Sequence, residues 1–228
     1  MVTGDIRCGK LYRYKTWPRI DGYNTYNVCS SSTSKTKQLS PFILGNFQVI
    51  DENKNDRLYV RCFENLWQDS KVYAEDIDIH GNIMESWFET RRNGCLDFKA
   101  KRKGHRKITK TSSKLPIFSY WNGYKLNYLE ARAVIYCPIY EKLVTLTSVF
   151  QEFKRAYENG AKLHIIGYDG YDYVKNGQTL RDCFYDTSKP FGHELVLACL
   201  LQNYRPWTEH EAYITHKDSI DALINIYR

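Results

Sequence analysis

Alternating apolar and polar positions predict a β-hairpin near the end of the first quarter of the chain. Residues 47–50 have the two-residue period of a strand, and residues 58–62 repeat it on the return. The Asn- and Asp-rich stretch 51–56 between them is typical of a tight turn. A helix is expected to begin near Phe63, where the alternation stops.

Apolar residues at helical spacing dominate the second half of the chain. Residues 128–160 hold the longest such pattern. We expect Pro138 to split it into two helices, because proline suits a first helical turn. Gly160 is expected to follow the last helical residue. The same patterns predict five further segments: a loop at 30–37, a strand at 162–167, a loop at 168–177, a buried helix at 194–201 and a short outer helix at 218–227.

These elements predict an α+β fold, mostly helical, with a small antiparallel sheet. A chain of 228 residues is long enough to bury roughly 70% of its unfolded surface without disulfides or metals. No internal repeat or low-complexity stretch suggests a boundary, so the sequence predicts one domain over residues 1–228.

The seven cysteines argue against both disulfides and a zinc site. They are scattered through the chain, odd in number and never spaced as CxxC: Cys8, Cys29, Cys62, Cys95, Cys137, Cys183 and Cys199. Scattered thiols are typical of a reducing compartment. No apolar run resembles a signal peptide or a membrane span. We therefore expect a cytoplasmic protein, or a nuclear one in a eukaryotic host, with no metal, no cofactor and no membrane partner.

The positive charge is concentrated in one segment. Eight basic residues and no acid lie between positions 99 and 114, in a Gly- and Ser-containing stretch that is expected to form a loop: Lys99, Lys101, Arg102, Lys103, Arg106, Lys107, Lys110 and Lys114. Since the net charge is +7, the rest of the chain carries −1. Such a loop attracts phosphates, and Lys101, Arg102, Lys103, Arg106 and Lys107 are candidate nucleic-acid contacts. A solvated, solubilising loop is the alternative.

Residues 63–73 carry the chemistry of greatest interest. At about 100° per residue, Glu64, Trp67, Gln68 and Lys71 share one arc of a helix. A large indole is unusual among charges on a solvated face, because Trp seldom stays wet without a partner. The arc therefore indicates a site. The residues expected to face a core lie on the other arc: Phe63, Leu66, Ser70 and Tyr73.

Residues 64–71, Glu-Asn-Leu-Trp-Gln-Asp-Ser-Lys, resemble the Glu-His-Tyr-Phe-Gln-Ala-x-Lys helix of the NADAR (YbiA-like) family of N-glycosidases. Residues 39–42, Leu-Ser-Pro-Phe, are similar to the family's Leu-Ser-Asn-Phe segment. Residues 168–171 and 191–201 resemble its Asp-x-x-Trp-Gly loop and its closing helix. The order of the pieces is that of the family. Asn65 replaces the usual His, the Trp-Gly is missing, and a basic loop insertion interrupts the body at about 74–115.

The resemblance implies a bond type. Members of that family hydrolyse ribosyl bonds in riboflavin-pathway intermediates or remove ADP-ribose from guanine in DNA. It therefore implies a hydrolase that cleaves the C1–N bond of a nucleotide-like or ADP-ribosylated substrate. Glu64 would stabilise the cationic sugar and orient water, while Lys71 would either attack C1 or form an ion pair. Asp169, or Asp172 in another alignment of the loop, would be the second carboxylate.

The remaining candidates would bind substrate. Gln68 would hold sugar hydroxyls, and Trp67 or a loop tyrosine would stack on the base. The other candidates come from the matching segments: Ser40, Phe42, Tyr171 and His193. Each candidate carboxylate has an alternative role as an N-cap or turn residue, and His193 has one as the cap of the helix that follows it.

Three other functions compete with this interpretation. A non-enzymatic nucleic-acid-binding protein would use the basic loop for phosphates and exposed tyrosines for stacking. An ADP-ribose-binding or ADP-ribose-transferring domain would have the same recognition needs, and a purely structural role is the third. The sequence does not predict the oligomeric state.

Overall fold

The computed structural model describes residues 3–12, 17–51, 56–223 and 225–226. It contains 40% helix and 17% strand, which confirms a mixed fold of helices and small sheets. Contacts between residues divide the chain into two compact units. Unit 1 comprises residues 1–43 and 140–210, and unit 2 comprises residues 44–139 and 211–228. The prediction of one domain over 1–228 stays a prediction.

The strands of the described residues are β1 (Asp5–Lys10), β2 (Asn24–Asn27), β3 (Phe47–Asp51), β4 (Asp56–Val60), β5 (Lys71–Val72), β6 (Phe118–Trp121), β7 (Tyr124–Leu126), β8 (Lys162–Gly167) and β9 (Asn225–Ile226). The α-helices are α1 (Phe63–Asp69), α2 (Glu85–Leu96), α3 (Tyr128–Ala131), α4 (Cys137–Val144), α5 (Ser148–Glu158), α6 (Leu180–Tyr185), α7 (His193–Leu201) and α8 (Glu211–Leu223). Short 3-10 helices form at Lys35–Leu39, Ala74–Asp76 and Pro206–Glu209, and a π-helical segment at Arg132–Tyr136.

Unit 1 is built on a parallel sheet with the order β1-β8-β2. The central strand β8 is buried along all but its first residue, as expected of a parallel strand covered on both faces. Helix α7 packs against β1 and β8 and is buried at every position, because its sequence is apolar almost all round. The predicted strand at 162–167 and buried helix at 194–201 are confirmed.

Unit 2 contains two antiparallel sheets, with the orders β4-β3-β9 and β5-β6-β7. The predicted hairpin is confirmed, with Phe47 opposite Val60, although most of its turn, residues 52–55, lies outside the described residues. The return strand ends at Val60, and Cys62 is already the N-cap of α1. The prediction of one small antiparallel sheet is therefore incomplete, since unit 1 adds a parallel sheet.

The helical pattern at 128–160 breaks at a different place from the one predicted. Pro138 lies in the first turn of α4 without interrupting the chain's helical course. The preceding segment widens to a π-helix, in which the Cys137 N–H donates to the Arg132 carbonyl, and this wider turn accommodates the missing proline N–H. The actual break follows α4, where the Thr147 hydroxyl caps α5. Gly160 follows α5 with a positive φ of 88°, as predicted.

Three further predictions need correction. The loop at 30–37 runs into the 3-10 helix Lys35–Leu39, because the Ser34 hydroxyl caps it. The C-terminal helix is α8 rather than residues 218–227, and pairing of β9 with β3 takes the chain out of helix. The segment 74–115 is not only a loop, since it contains α2, which packs on α1 and β4.

Within the described ranges, no single helix is both long and apolar enough to cross a bilayer.

Candidate functional site

Helix α1 forms as predicted but ends before Lys71. Phe63 and Leu66 are fully buried and anchor the helix in unit 2. The Ser70 hydroxyl donates to the Trp67 carbonyl at 2.9 Å, which closes the last turn. Lys71 then begins β5, paired with Ser119 of β6. The prediction that Lys71 belongs to the helix is therefore wrong, because strand pairing takes over at that residue.

Glu64, Gln68 and Lys71 nevertheless form a continuous row of hydrogen bonds. The Gln68 amide nitrogen donates to Oε1 of Glu64 at 2.8 Å, and Nζ of Lys71 donates to Oε1 of Gln68 at 2.7 Å. Glu64 is buried, with 7% of its surface exposed, while Gln68 and Lys71 are half-buried. The amide thus links the acid to the ammonium group and orients both.

Trp67 packs into unit 2 beside this row. The ring centroids of Trp67 and Tyr136 lie 5.0 Å apart. Nζ of Lys71 lies 4.9 Å from the Trp67 ring centroid. Only 9% of the residue is exposed. A stacking role for Trp67 would therefore require Lys71 to move away from the ring. Tyr136 belongs to the π-helical segment, so that segment supports the site from within the core.

A small cavity of about 10 Å³ lies beside the row. Gln68 and Lys71 line it together with polar and aromatic residues of α2 and the basic segment, among them Trp87, Arg91 and Arg106. Such a volume holds about one water molecule. A sugar ring does not fit, so a ligand of this row would have to approach from outside the cavity.

The adjacent face of α1, formed by Asn65 and Asp69, binds the basic segment, residues 99–114. His105 lies between two acids, with Nδ1 2.7 Å from Oδ2 of Asp69 and Nε2 3.1 Å from Oδ2 of Asp97. The His105 backbone N–H also donates to Asp69 at 2.6 Å. Burial raises the pKa of Asp69, against the opposing effect of His105. Sequence reasoning missed this cluster, because nothing in the spacing links Asp69 to a histidine 36 positions later.

Asn65 explains one departure from the family pattern. It is fully buried. Its Nδ2 donates to the carbonyls of Asp97 and Lys99 at 3.0 and 3.2 Å, and its Oδ1 accepts from the N–H of Lys101 at 2.9 Å. Three hydrogen bonds of this geometry suit an amide, which offers donors and an acceptor at one end. The residue that replaces the family's His therefore anchors the segment 97–101.

Most of the predicted phosphate contacts are accessible. Seven of the eight basic residues of the segment are exposed: Lys99, Lys101, Arg102, Lys103, Lys107, Lys110 and Lys114. Arg106 differs, since its guanidinium lies 3.4 Å from the Tyr73 ring centroid and 2.6 Å from Oε1 of Glu75. Arg106 therefore holds the segment in place. To bind a phosphate, its guanidinium would first have to leave Glu75 and the Tyr73 ring.

The remaining predicted site residues belong to unit 1. Ser40 is 1% exposed, and its Oγ accepts from the N–H of half-buried Phe42 at 3.3 Å. This bond forms a local turn. Tyr171 is half-buried, and Nζ of Lys189 lies 5.2 Å from its ring centroid. Both Ser40 and Tyr171 therefore have structural contacts, and their roles toward a substrate stay predictions.

The two aspartates after β8 differ in environment. Asp169 is exposed. Asp172 accepts two hydrogen bonds from the Arg7 guanidinium, at 3.0 and 2.5 Å. Burial opposes the charged form of Asp172, but Arg7 and the Lys175 N–H outweigh it and hold the pKa of Asp172 below its usual value. Asp172 thus has a structural ion pair, which leaves Asp169 as the predicted second carboxylate.

His193 lies in a buried cluster that the sequence did not predict. Its Nε2 lies 3.1 Å from the Val28 carbonyl, and Gly192, not His193, is the N-cap of α7. The Cys29 thiol, a ring nitrogen of His193 and a carboxylate oxygen of Glu194 lie within 4.8 Å of one another. Burial raises the pKa of Glu194, which is fully enclosed. No spacing rule links Cys29 to two residues more than 160 positions later.

Unit 1 also contains a cleft of about 450 Å³ along β2. Trp17, Tyr26 and Phe153 supply its aromatic surface, and an ion pair between Lys35 and Glu152 lies among its lining residues. Hydroxyl groups of the segment 32–36 complete the lining. This is a ligand-sized volume with a mixed aromatic and polar surface. The sequence analysis did not predict this cleft.

Comparison with known proteins gives no relative. No known protein family, no curated protein and no solved structure matches this chain. The resemblance to the NADAR family therefore stays a prediction, based on the four segments described above.

Proposed function

We propose that the chain is a hydrolase that cleaves the C1–N bond of a nucleotide-like or ADP-ribosylated substrate, in the manner of the NADAR family. The observation that carries the proposal is the row Glu64–Gln68–Lys71, in which one amide joins a buried carboxylate to an ammonium group. The row uses the three residues that match the family helix at the same spacing.

The chemistry needs negative charge beside C1. When the C1–N bond breaks, its electron pair leaves with the base nitrogen, and positive charge develops on C1 and the ring oxygen. A fixed carboxylate facing C1 stabilises this charge without reorganisation. Water then adds its oxygen to C1, passes one proton to the carboxylate, and a proton from solvent completes the released base. Glu64 is the residue suited to this role, because the Gln68 amide fixes its position.

The contacts of Lys71 favour an electrostatic role. Its Nζ donates to Gln68 and lies near the Trp67 ring, and both contacts suit a charged ammonium group. A nucleophilic amine must be uncharged to attack C1. Of the two predicted roles, attack on C1 and a fixed ion pair with Glu64, we therefore assign Lys71 the second, with the Gln68 amide between the two charged groups.

The test uses matched carboxylate variants. Glu64→Gln removes the candidate charge with little change of shape, and Glu89→Gln does the same at an exposed position of α2 in the same unit. The substrates are ribonucleotides, ribosylated riboflavin-pathway intermediates and ADP-ribosylated DNA, and base release is measured by mass spectrometry. We expect release from at least one substrate, a loss of about 100-fold or more in Glu64→Gln, and wild-type turnover in Glu89→Gln.

Two results would contradict the proposal. One is that the folded wild-type chain releases no base from any of these substrates. The other is that Glu64→Gln folds and keeps wild-type turnover. Borohydride reduction during turnover separates the two roles of Lys71, since only an attacking amine leaves a sugar covalently attached to it.

The exposed charges of the basic segment favour a second function, binding of nucleic acid. Seven basic side chains are accessible within sixteen residues, and the exposed Phe98 and Leu115 flank them. Phosphate contacts by these residues would make binding strongly salt-dependent. A variant with Lys103, Lys107 and Lys110 changed to Ser is expected to lose affinity for single-stranded DNA and to show a shallower salt dependence. Glu64→Gln is expected to bind DNA as the wild type does, and an unchanged affinity in the triple variant would exclude this function.

A further inference from the structure

Cys29, His193 and Glu194 meet at one edge of the parallel sheet of unit 1. Cys29 follows β2, and His193 and Glu194 form the start of α7. Gly167, the last residue of β8, lies against the Glu194 carboxylate. The carboxyl edge of a parallel sheet, beside a helix N-terminus, is where α/β folds commonly place ligands. The chemistry of the three side chains decides which ligand this edge suits.

The hydrogen bond of His193 assigns its protons. The Val28 carbonyl can only accept, so Nε2, 3.1 Å away, carries the proton. In the neutral ring, Nδ1 therefore presents a lone pair, and it lies 3.6 Å from Oε2 of Glu194. Two acceptors at this distance repel each other unless a cation or a proton lies between them. A histidine whose other N–H is held by a backbone carbonyl is also the usual arrangement of a metal ligand.

Glu194 supplies an independent sign of a ligand. The residue is 0% exposed. The backbone N–H groups of Asp169 and Glu194 lie near its carboxylate, but neither carboxylate oxygen accepts a hydrogen bond of good geometry. Among the described residues its one ion-pair neighbour is His193. A buried carboxylate without good hydrogen bonds is strongly unfavourable as an anion, so it takes up a proton, pairs with a cation or coordinates a metal. Gly167 and Gly192 leave room for the carboxylate, since a Cβ at either position would overlap it.

We propose that Cys29, His193 and Glu194 bind one transition-metal ion of the zinc class, through Sγ, Nδ1 and a carboxylate oxygen. A mixed sulfur, nitrogen and oxygen set suits Zn²⁺ and excludes Mg²⁺ and Ca²⁺, which take oxygen ligands. Two ligand atoms about 2.1 Å from a tetrahedral zinc are separated by about 3.4 Å. The Nδ1–Oε2 distance of 3.6 Å already has this spacing. Since all three ligand atoms lie within 4.8 Å of one another, no separation would have to close by more than about 1.4 Å to reach this spacing.

The ion would join two parts of unit 1. Binding converts the Cys29 thiol to a thiolate, with release of its proton to solvent, and ties the end of β2 to the start of α7. The proposal does not depend on the glycosidase chemistry, because the row Glu64–Gln68–Lys71 that carries that chemistry belongs to unit 2. It differs from the expectation of no metal, because the sequence does not show that folding brings these ligands together.

Titration of the full chain with cobalt and zinc tests the site. The purified chain is first stripped with a chelator. Co²⁺ is then expected to bind with a stoichiometry of one, and to give the intense visible bands of a tetrahedral site together with a near-ultraviolet thiolate band. Zn²⁺ is expected to displace it and to raise the melting temperature.

Variants separate this site from adventitious binding. Cys29→Ser and Glu194→Gln are each expected to lower the affinity for Zn²⁺ by about 100-fold or more, and Cys29→Ser to abolish the thiolate band. Cys95→Ser, at a fully buried thiol of unit 2, is expected to bind as the wild type does. Wild-type affinity in folded Glu194→Gln, or a wild-type cobalt spectrum without a thiolate band, would overturn the proposal. The latter measurement decides the matter even if Cys29→Ser fails to fold.

Discussion

Gly167 and Glu194 lie so close that a methyl group on the Gly167 α-carbon would be 1.4 Å from Oε1 of Glu194. The glycine is the last residue of β8, and the glutamate is in the first turn of α7. The absence of a side chain at position 167 is therefore what allows a carboxylate to occupy the interior of unit 1.

This contact predicts a strong dependence of one residue on the other. Gly167→Ala is expected to lower the free energy of unfolding by about 1–3 kcal/mol, because the new methyl group overpacks the interior. In a Glu194→Ala background the same change should cost much less, since the clashing carboxylate is gone. Urea denaturation of the four proteins measures the coupling. Equal costs in both backgrounds would show that the two side chains do not compete for this space.

The contacts of His105 with Asp69 and Asp97 predict that a substitution at His105 destabilises mainly the segment 97–107. His105→Gln is expected to reduce stability by about 1–3 kcal/mol, because buried Asp69 loses its ring partner. Hydrogen exchange should become faster mainly in the segment 97–107, which these contacts hold against α1. His80→Gln serves as the control, because His80 is exposed. Unchanged exchange in His105→Gln would mean that other contacts hold the segment.

Asn65 allows a test of the departure from the family pattern. Asn65→His introduces the residue that the NADAR helix has at the matching position, but it removes a side chain that makes three hydrogen bonds to the backbone of residues 97–101. We expect a loss of about 2–3 kcal/mol, at about 1 kcal/mol for each net hydrogen bond. Thermal and urea unfolding measure it. A variant as stable as the wild type would show that an imidazole replaces all three bonds.

The buried His164 predicts a dependence of stability on pH. It is 2% exposed, and burial lowers its pKa below the ordinary value of about 6.5. The unfolded chain then binds more protons at this residue, so its contribution to stability is complete above about pH 6.5 and is lost as the pH falls toward the lower folded pKa. The slope contributed by one group is at most about 1.4 kcal/mol per pH unit.

The control for this prediction is the same substitution at the exposed His80. His164→Gln should have a flatter profile than the wild type below about pH 6.5, whereas His80→Gln should keep the wild-type slope. Urea denaturation across this range gives the measurement. If the profile of His164→Gln matched that of the wild type, the pH dependence would have to come from other groups.

Local sequence patterns predict correctly the helices and strands whose formation depends mainly on neighbouring residues. The hairpin, β8 and α7 follow from alternation and apolar runs, and the start of α1 from the change of period at Phe63. The end of α1 was mispredicted because pairing of Lys71 with Ser119, 48 positions later, overrides the helical pattern. The break at residues 145–147 was missed for a related reason, since a π-helical segment accommodates Pro138.

The candidate sites also differ in whether their contacts join residues close together or far apart in the sequence. Glu64 and Gln68 are four residues apart on one helix, so their hydrogen bond follows from helical geometry. Cys29 and Glu194 come together only through the pairing of β2 with β8 and the packing of α7 on the sheet. The pairing of His105 with Asp69 likewise depends on the path of an irregular segment, which no periodicity describes.

Helix α1 carries residues of two different sets of contacts. The row Glu64–Gln68–Lys71 starts on it, while Asn65 and Asp69, the immediate neighbours in sequence, grip the basic segment from the same seven residues. Since Glu64 and Asn65, like Gln68 and Asp69, are consecutive residues, the position of this one helix determines both sets of contacts. A substitution that shifts this helix is therefore expected to alter the row and the contacts with the basic segment together.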